Sequence, residues 1–174
     1  MVLLVRKAQL NDVVSIVHLD VDTWRISYQG YVADEILNLP YFQFSEERVK
    51  KMKVPIQNGL VYVAEENDKI VGFAGLLNPI DIETEIKVFY VYSDNQRQGV
   101  GQKIFDYIKE DLIQNGCEKL TLWTMKNYPP SNNFYVKNMG VLSGREMRLK
   151  INIDTVEYVF DLKRIQKNKS RMME

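Results

Sequence analysis

The stretch that decides the fold is VFYVYSDNQRQGVGQKIFDYIKEDLIQNG, Val88 to Gly116, where two glycines separate a β-rich run from an amphipathic run. Gly99 and Gly101 lie one residue apart at this junction. After them, apolar residues recur at helical spacing as far as Asn115-Gly116, a typical helix C-terminus. A glycine turn that opens a helix exposes backbone N–H groups at the positive end of the helix dipole. The stretch therefore predicts a strand, a turn suited to an anionic group, and a helix.

Two well-known phosphate-binding motifs do not fit this turn. The dinucleotide fingerprint has a third glycine three residues after the second, where this chain has Ile104. The loop of nucleoside triphosphatases has Lys directly after the second glycine, where this chain has Gln102. A tight turn without a ligand stays an open alternative for an isolated Gly-x-Gly.

Composition narrows the classes of protein. The chain has 174 residues, 45% of them hydrophobic and 26% charged, which indicates one ordinary globular domain. Its formal net charge of zero argues against a nucleic-acid partner. Cys117 is the only cysteine, which excludes an internal disulfide and multi-cysteine zinc sites. The opening MVLLVRK is too short for a signal segment and no run approaches a membrane span, so no membrane partner and a cytoplasmic location are expected.

The order of secondary-structure patterns predicts an α/β protein. A strand over MVLLVRKA precedes helical patterns, then the hairpin GLVYVAEENDKIVGFAGLL with the turn ENDK, and the run ETEIKVFYVYS. The coarse order is β-α-α-β-β-β-α-β-α-β-β, a mixed α+β sheet with one βαβ crossover and a final antiparallel pair. We assign residues 1–162 to a single domain and residues 163–174 to a basic, flexible tail.

Four segments, in order, resemble the GCN5-related N-acetyltransferase (GNAT) superfamily. Gln96 to Gly101 has the form Gln/Arg-x-x-Gly-x-Gly/Ala of its pyrophosphate motif. The segment DTWRISYQGY is similar to its Trp-x-x-x-Tyr-x-Gly signature, LTLWTMKN…SNNFYVKNMG to its fifth strand and the helix after it, and VEYVFDL to its last strand. The resemblance spans nearly the whole chain and implies a GNAT-like fold that uses acetyl-CoA.

The resemblance also implies the cofactor contacts. The motif residues would bind the pyrophosphate through their backbone and side chains: Gln96, Arg97, Gln98, Gly99, Val100 and Gly101. Strand residues would pair with the pantetheine arm and supply an oxyanion donor near Val91: Phe89, Tyr90 and Val91. Asn127 would be a further contact, although it lies one residue further from Phe134-Tyr135 than is usual, with Pro129-Pro130 between them. Val141 replaces the usual Phe after Gly140, a change that we expect to affect packing.

Two catalytic residues follow from the same resemblance. Tyr135 matches the tyrosine that protonates the departing thiolate, and its alternative role is a core aromatic beside Phe134. Glu85 lies eleven residues before Gln96, the spacing of the catalytic glutamate in the histone-acetylating branch, and would be the general base. A solvated strand end is the alternative for Glu85, and Glu83 is the second candidate for the base.

The sequence says less about the residues that would line the pocket for the acceptor substrate. Trp24 and Tyr28 are one helical turn apart and share a face, which borders the acceptor pocket in the family. Core packing is the alternative for both. His18 reads as a packing or surface residue, and Cys117 as a bystander thiol.

The resulting hypothesis is an N-acetyltransferase that moves an acetyl group from acetyl-CoA to a primary amine of a small molecule, peptide or protein. The amine would attack directly, without a metal. A catalytically silent acyl-CoA-binding regulatory module is the main alternative, although the presence of both Glu85 and Tyr135 argues against it. A protein-interaction domain without a cofactor is a third hypothesis. A homodimer is expected by family analogy alone.

Overall fold

The computed structural model describes residues 3–171 and confirms a mixed α/β fold. The strands are β1 (Leu3–Lys7), β2 (Val61–Glu66), β3 (Lys69–Leu76), β4 (Glu83–Val91), β5 (Lys119–Met125), β6 (Val141–Arg148) and β7 (Asp154–Asp161). The helices are α1 (Val13–Ser27), α2 (Asp34–Leu37), α3 (Glu46–Gln57), α4 (Val100–Gln114), α5 (Pro129–Lys137) and α6 (Leu162–Arg171). The one-turn α2 and the C-terminal α6 are additions to the predicted order.

The seven strands form one mixed sheet in the order β1-β2-β3-β4-β5-β7-β6. By their internal contacts, residues 3–77 and 88–108 form a first compact unit, and residues 78–87 and 109–171 form a second. Strand β4 and helix α4 each contribute residues to both units. The assignment of a single domain over residues 1–162 stays a prediction.

The first unit is built on antiparallel pairs of β1 with β2 and of β2 with β3. Asn67 and Asp68 join β2 to β3 with φ angles of 51° and 60°, the left-handed pair that a two-residue hairpin turn requires. The predicted hairpin and its turn are therefore confirmed. A buried apolar cluster from α1, α3 and these strands forms the core, with members such as Ile16, Leu19 and Phe73.

The second unit contains the parallel pair that the predicted crossover requires. The first half of β4 pairs in parallel with β5, from Glu83 opposite Lys119 to Ile86 opposite Leu122. Strand β5 then pairs along its whole length with the antiparallel β7, and β7 pairs with β6 at the edge. The predicted final antiparallel pair is confirmed, and β7 lies between β5 and β6.

Helix α6 begins at Leu162, the last residue assigned to the domain, and covers most of residues 163–174, the segment predicted as a flexible tail. Leu162 and Ile165 are buried, so the first turn of α6 packs against the protein, while Lys163 and Arg164 are exposed. Residues 172–174 of the predicted tail lie outside the described residues. None of the helices between residues 3 and 171 is both long and apolar enough to cross a membrane.

An ion-pair cluster anchors the start of α1 to the sheet of the first unit. The Arg6 guanidinium donates to both Asp12 carboxylate oxygens, at 2.7 and 3.0 Å, and to Glu65 of β2 at 2.6 Å. Asp12 also accepts the backbone N–H of Gln9 at 2.7 Å and is nearly buried. The hydrogen bonds from Arg6 lower the pKa of Asp12 well below its usual range, although burial opposes them.

We predict that Asp12→Asn lowers the free energy of unfolding by about 2 kcal/mol at pH 7, because charge-assisted hydrogen bonds to Arg6 are lost. Since folding lowers the pKa of Asp12, the stabilisation is present above the unfolded value of about 3.9 and is lost as the pH falls through the folded value. Urea unfolding at pH 7 and at pH 3 measures the difference, which should shrink in acid.

Glu47→Gln is the control for this prediction, because the exposed pair of Glu47 with Lys51 is screened by water. It should change the stability little at either pH. An Asp12→Asn difference that stays constant between the two pH values would contradict the role given to the carboxylate.

Candidate active site

The glycine turn at the start of α4 has the backbone that its sequence predicts. Gly99 has a φ of 85° and the space where its Cβ would stand is open within 4 Å. Arg97 also adopts a positive φ, 58°. The first regular bond of α4 runs from the Lys103 N–H to the Gly99 carbonyl, so the N–H groups of Val100 and Gly101 have no acceptor four residues earlier inside the helix. The turn thus presents bare backbone donors and an exposed glycine, as an anion site requires.

Two glutamine side chains brace the turn from within. The Gln96 side-chain amide donates to the Val91 carbonyl at 3.0 Å, and the Gln98 amide donates to the Asp94 carbonyl at 2.6 Å. Gln96 thereby ties the turn back to the last residue of β4. Val100 is buried and fixes the first turn of α4. The Gln96 and Gln98 side chains of the motif therefore stabilise the conformation of the turn. The groups of the motif that could contact a ligand are its backbone N–H groups.

The end of β4 packs differently on its two sides. The Phe89 ring stacks on Phe105 of α4 with centroids 6.1 Å apart, whereas Tyr90 lies 6.4 Å from Tyr28 of α1. Val91 is buried, with a methyl group 3.2 Å from the position of a Cβ at Gly72. The structure thus brings Phe89, Tyr90 and Val91 next to the glycine turn within one unit.

An aromatic cluster surrounds the two residues predicted at the acceptor side. The Trp24 ring stacks on Phe42 at 4.1 Å and meets Tyr28 edge-on at 4.7 Å. The Trp24 indole N–H is buried without a hydrogen-bond partner among the described residues. Tyr28 in turn contacts Tyr90, so the cluster reaches β4. Packing explains the position of the Trp24 ring, which contacts Phe42 and Tyr28. It does not explain why the buried indole N–H has no hydrogen-bond partner among the described residues.

Glu85 is half-buried on β4 in the second unit. Burial raises the pKa of its carboxyl, and the nearby Glu157 carboxylate raises it further. Arg145 and Lys87 oppose these effects by their charge, and Trp123 opposes them by a hydrogen bond. A carboxylate with a raised pKa is a better match to a proton transfer near neutral pH than an ordinary glutamate. Glu83, the second candidate, is instead exposed and paired with Lys119 at 2.8 Å.

Tyr135 is buried on α5 among other aromatic rings. Its ring lies 5.5 Å from that of Tyr158 and 6.3 Å from that of Phe160, both on β7. Because side chains alternate along a strand, these two residues point away from Glu157 and from the Glu85 that shares its surroundings. Tyr135 and Glu85 therefore lie on opposite faces of the sheet in the second unit.

Asn127 lies exposed in the turn between β5 and α5, and a different asparagine holds that turn together. The Asn132 amide donates to the Met125 carbonyl at 3.0 Å and the Tyr128 carbonyl at 2.8 Å. Its carbonyl accepts the Tyr158 hydroxyl at 3.0 Å. Sequence reasoning missed Asn132, although its place in the SNN segment before Phe134 was the available signal.

Sequence reasoning also missed a polar group on the last strands. Glu157 is only 4% exposed, and Arg145 of β6 pairs with it at 3.0 Å. The Arg145 guanidinium lies 5.3 Å from the centre of the Trp123 ring. A glutamate inside the otherwise apolar run VEYVF was a signal for Glu157, because a buried carboxylate needs a partner. His18, by contrast, stacks on Phe44 at 4.3 Å, in accord with a packing role.

Comparison with known proteins gives a family match for most of the chain. The model of the acetyltransferase (GNAT) family matches residues 16–141. The chain is also 30% identical over 131 residues to the uncharacterized N-acetyltransferase YuaI of Bacillus subtilis (strain 168). That match covers 72% of this chain and 73% of YuaI.

Solved structures share the fold at low sequence identity. The PaiA N-acetyltransferase from Thermoplasma acidophilum, in complex with coenzyme A, has a TM-score of 0.75 at 16% identity and covers 92% of this chain and 100% of its own. The yncA protein from Salmonella typhimurium, with its cofactor acetyl-CoA, has a TM-score of 0.72 at 16% identity and covers 93% and 95%.

We predict that Cys117 reacts slowly with thiol reagents in the folded protein. Burial raises the pKa of the thiol, so less nucleophilic thiolate is present at pH 8, and the side chain is inaccessible. Labelling with a disulfide reagent should be slow in buffer and rapid in denaturant. Cys117→Ser, the blank for the assay, should leave the fold unchanged. Rapid labelling of the native protein would contradict the bystander role.

Proposed function

Because the chain belongs to the acetyltransferase (GNAT) family, and is therefore an acyltransferase, we propose that it moves an acetyl group from acetyl-CoA to a primary amine. The observation that carries the proposal is the Gly99 turn, whose bare backbone donors open α4 directly after β4. The acceptor is a small molecule, or an amine of a peptide or protein. The coenzyme A and acetyl-CoA in the two neighbouring structures support this choice of co-substrate.

In this proposal the turn binds the pyrophosphate. The backbone N–H groups from Gly99 to Gly101 would face the anion at the positive end of α4, and the absent Cβ of Gly99 lets oxygen atoms approach them. Arg97 is exposed beside the turn and adds positive charge. Gln96 and Gln98 hold the turn in shape through their bonds to Val91 and Asp94.

The pantetheine arm would pair with the end of β4. The parallel ladder of β4 with β5 covers Glu83–Ile86, while β4 continues to Val91. A strand can pair with an amide-bearing chain through its backbone groups, as peptide ligands do when they add to a sheet. A backbone N–H near Val91 would stabilise the oxyanion that forms when the amine attacks. Asn127, exposed in its turn, is kept as a proposed cofactor contact.

Glu85 is proposed as the general base. An amine at neutral pH is mostly protonated, and it must lose that proton before it can attack the thioester carbonyl. Glu85 would accept the proton directly or through a water molecule. The raised pKa of Glu85, caused first by burial and then by Glu157, supports the assignment. The C–N bond forms first and gives the oxyanion, and the C–S bond breaks when this intermediate collapses to the amide and releases the CoA thiolate.

Tyr135 is proposed as the acid that protonates the departing thiolate. Its contacts with Tyr158 and Phe160 hold the ring in position. The same contacts suit a core aromatic, and the variant described below distinguishes the two roles.

Trp24 and Tyr28 are proposed to line the acceptor side. The contact of Tyr28 with Tyr90 supports this, because Tyr90 neighbours the strand residues proposed for the thioester. The unpaired, buried indole N–H of Trp24 is a donor that a polar acceptor group could use. A silent acyl-CoA-binding module is the second candidate, and it shares the cofactor site but predicts no CoA release with amines.

We predict that acetyl-CoA and CoA, but not ATP, raise the melting temperature of the protein in a saturable way. At a hundredfold excess over Kd the stabilisation is about 2.7 kcal/mol, which corresponds to a rise of several degrees. Gly99→Glu should abolish the rise, because its carboxylate stands where the pyrophosphate binds. No rise for the wild type at millimolar acetyl-CoA would exclude the proposed co-substrate.

Gly116→Glu is the matched control for this variant. Gly116 has a φ of 79° and open space around its Cβ position, so both substitutions cost a similar left-handed strain of about 1–2 kcal/mol. Both variants should melt lower than the wild type, but only the Gly116 variant should respond to acetyl-CoA. An unchanged response of Gly99→Glu would remove the pyrophosphate from the turn.

We predict that Tyr135→Phe lowers kcat about a hundredfold, while Kd for acetyl-CoA stays nearly constant, since an acid catalyst acts on the transition state. CoA release with a panel of amines gives kcat, and calorimetric titration gives Kd. Tyr158→Phe removes a neighbouring hydroxyl, bonded to Asn132, and serves as the control that should stay active. Equal turnover of Tyr135→Phe and the wild type would assign Tyr135 to packing.

A further inference from the structure

A polar network crosses three strands on one face of the sheet in the second unit. Trp123 of β5 lies directly opposite Glu157 of β7, and Arg145 of β6 bonds Glu157 at 3.0 Å. The same guanidinium lies 5.3 Å from the centre of the Trp123 ring, close enough for a cation–π contact. Trp123, Glu157 and Arg145 are therefore linked pairwise, and we call them the Trp123 network.

Glu85 reaches the same face from β4. It is directly opposite Thr121, two residues before Trp123, so Glu85 and Trp123 are diagonal neighbours about 7–8 Å apart at their backbones. An aromatic side chain spans that distance, so the register of β4, β5 and β7 places Trp123 beside Glu85, and a hydrogen bond from the Trp123 side chain is one of the effects that lower the pKa of Glu85. The indole N–H is the only donor that a tryptophan side chain offers.

Stability alone is a poor reason for this network. The Glu157 side chain is 5% exposed, while its partner Arg145 is 70% exposed on the edge strand. Taking a carboxylate out of water is costly, and replacing a buried ion pair with apolar side chains is often neutral or stabilising. The arrangement does, however, keep a second negative charge beside Glu85 where little water screens it.

We infer that the Trp123 network positions Glu85: Trp123 orients its carboxylate, and Glu157, held by Arg145, maintains a negative charge on the same face. This inference rests on the proposed function, in which Glu85 is the general base. The charged groups that shift the pKa of Glu85 are Lys87 of β4, Glu157 of β7 and Arg145 of β6, and the ion pair of Glu83 with Lys119 lies on the same face two residues away.

The residues of the Trp123 network change the proton affinity of Glu85 in opposite directions. Burial raises the pKa of Glu85 most, and the Glu157 charge raises it further. The Trp123 hydrogen bond and the Arg145 charge lower it. Removing the Glu157 charge should therefore make Glu85 lose its proton at lower pH, whereas removing the Trp123 donor should make it lose its proton at higher pH.

The test is a carboxyl carbon-13 NMR titration of the full chain labelled on glutamate, with the Glu85 signal assigned by its absence in Glu85→Gln. Glu157→Gln should move the Glu85 midpoint to lower pH. Trp123→Phe, which keeps the ring but not the donor, should move it to higher pH. Arg145→Gln, a change at an exposed position, should also move it to higher pH and provides the test if a buried variant does not fold.

Glu146→Gln is the matched control. Glu146 of β6 is opposite Val156 and therefore faces away from Glu157, and its partner is Lys126 at 2.6 Å. The Glu146→Gln variant removes one negative charge, as Glu157→Gln does, but from the neighbouring strand β6. It should leave the Glu85 midpoint unchanged. Midpoints in Glu157→Gln, Trp123→Phe and Arg145→Gln that match this control would overturn the inference.

Activity separates this inference from the proposed function. With acetyl-CoA and a mixture of primary amines, the acid limb of kcat/KM should follow the Glu85 midpoint in each variant. If the NMR midpoints move as expected but the acid limb does not, the network positions Glu85 and the assignment of Glu85 as the base is wrong. If neither moves, the network itself is refuted.

Discussion

The short ladder between β4 and β5 is the constraint on which the functional part of this fold depends. Four residues of each strand pair in parallel, and β4 then runs on to Val91 and the Gly99 turn. A parallel pair requires a crossover, and α4 provides it. The residues that accommodate this geometry are those that we propose bind the cofactor: the end of β4, a glycine in a left-handed conformation, and the N-terminus of α4.

The glycine turn is held by local contacts, whereas the surroundings of Glu85 are formed by long-range contacts. The turn is held by bonds within a few residues, such as that from Gln96 to Val91. The environment of Glu85, in contrast, depends on three other strands, of which β7 separates β5 from β6. The turn is therefore specified by its own short segment of the first unit, whereas the proton affinity of Glu85 is set by side chains from other strands of the second unit.

Much of the fold could be predicted because its signals are local. The ENDK turn requires two left-handed residues, and Asn67 and Asp68 tolerate that conformation. The periodicity of α4 predicted the buried residues Ile104, Phe105 and Ile108. Helix α6 was missed because its basic composition resembles a solvated tail, whereas two apolar side chains, Leu162 and Ile165, pack its first turn. Asn132 was missed because its bonds join a turn to β7: its place in the SNN segment marks a polar position, but its partner on β7, Tyr158, lies far away in the sequence.

The sequence by itself determined the glycine turn, the helix that follows it and the family resemblance, since each depends on residues close together in the chain. Only the tertiary structure decided that Glu85 meets Trp123, Glu157 and Arg145, and that Tyr135 lies on the other face. Alternation along a strand shows which side chains share a face, but the partners across the sheet depend on strand order and register. Strand order and register are properties of the folded sheet, in which β7 lies between β5 and β6.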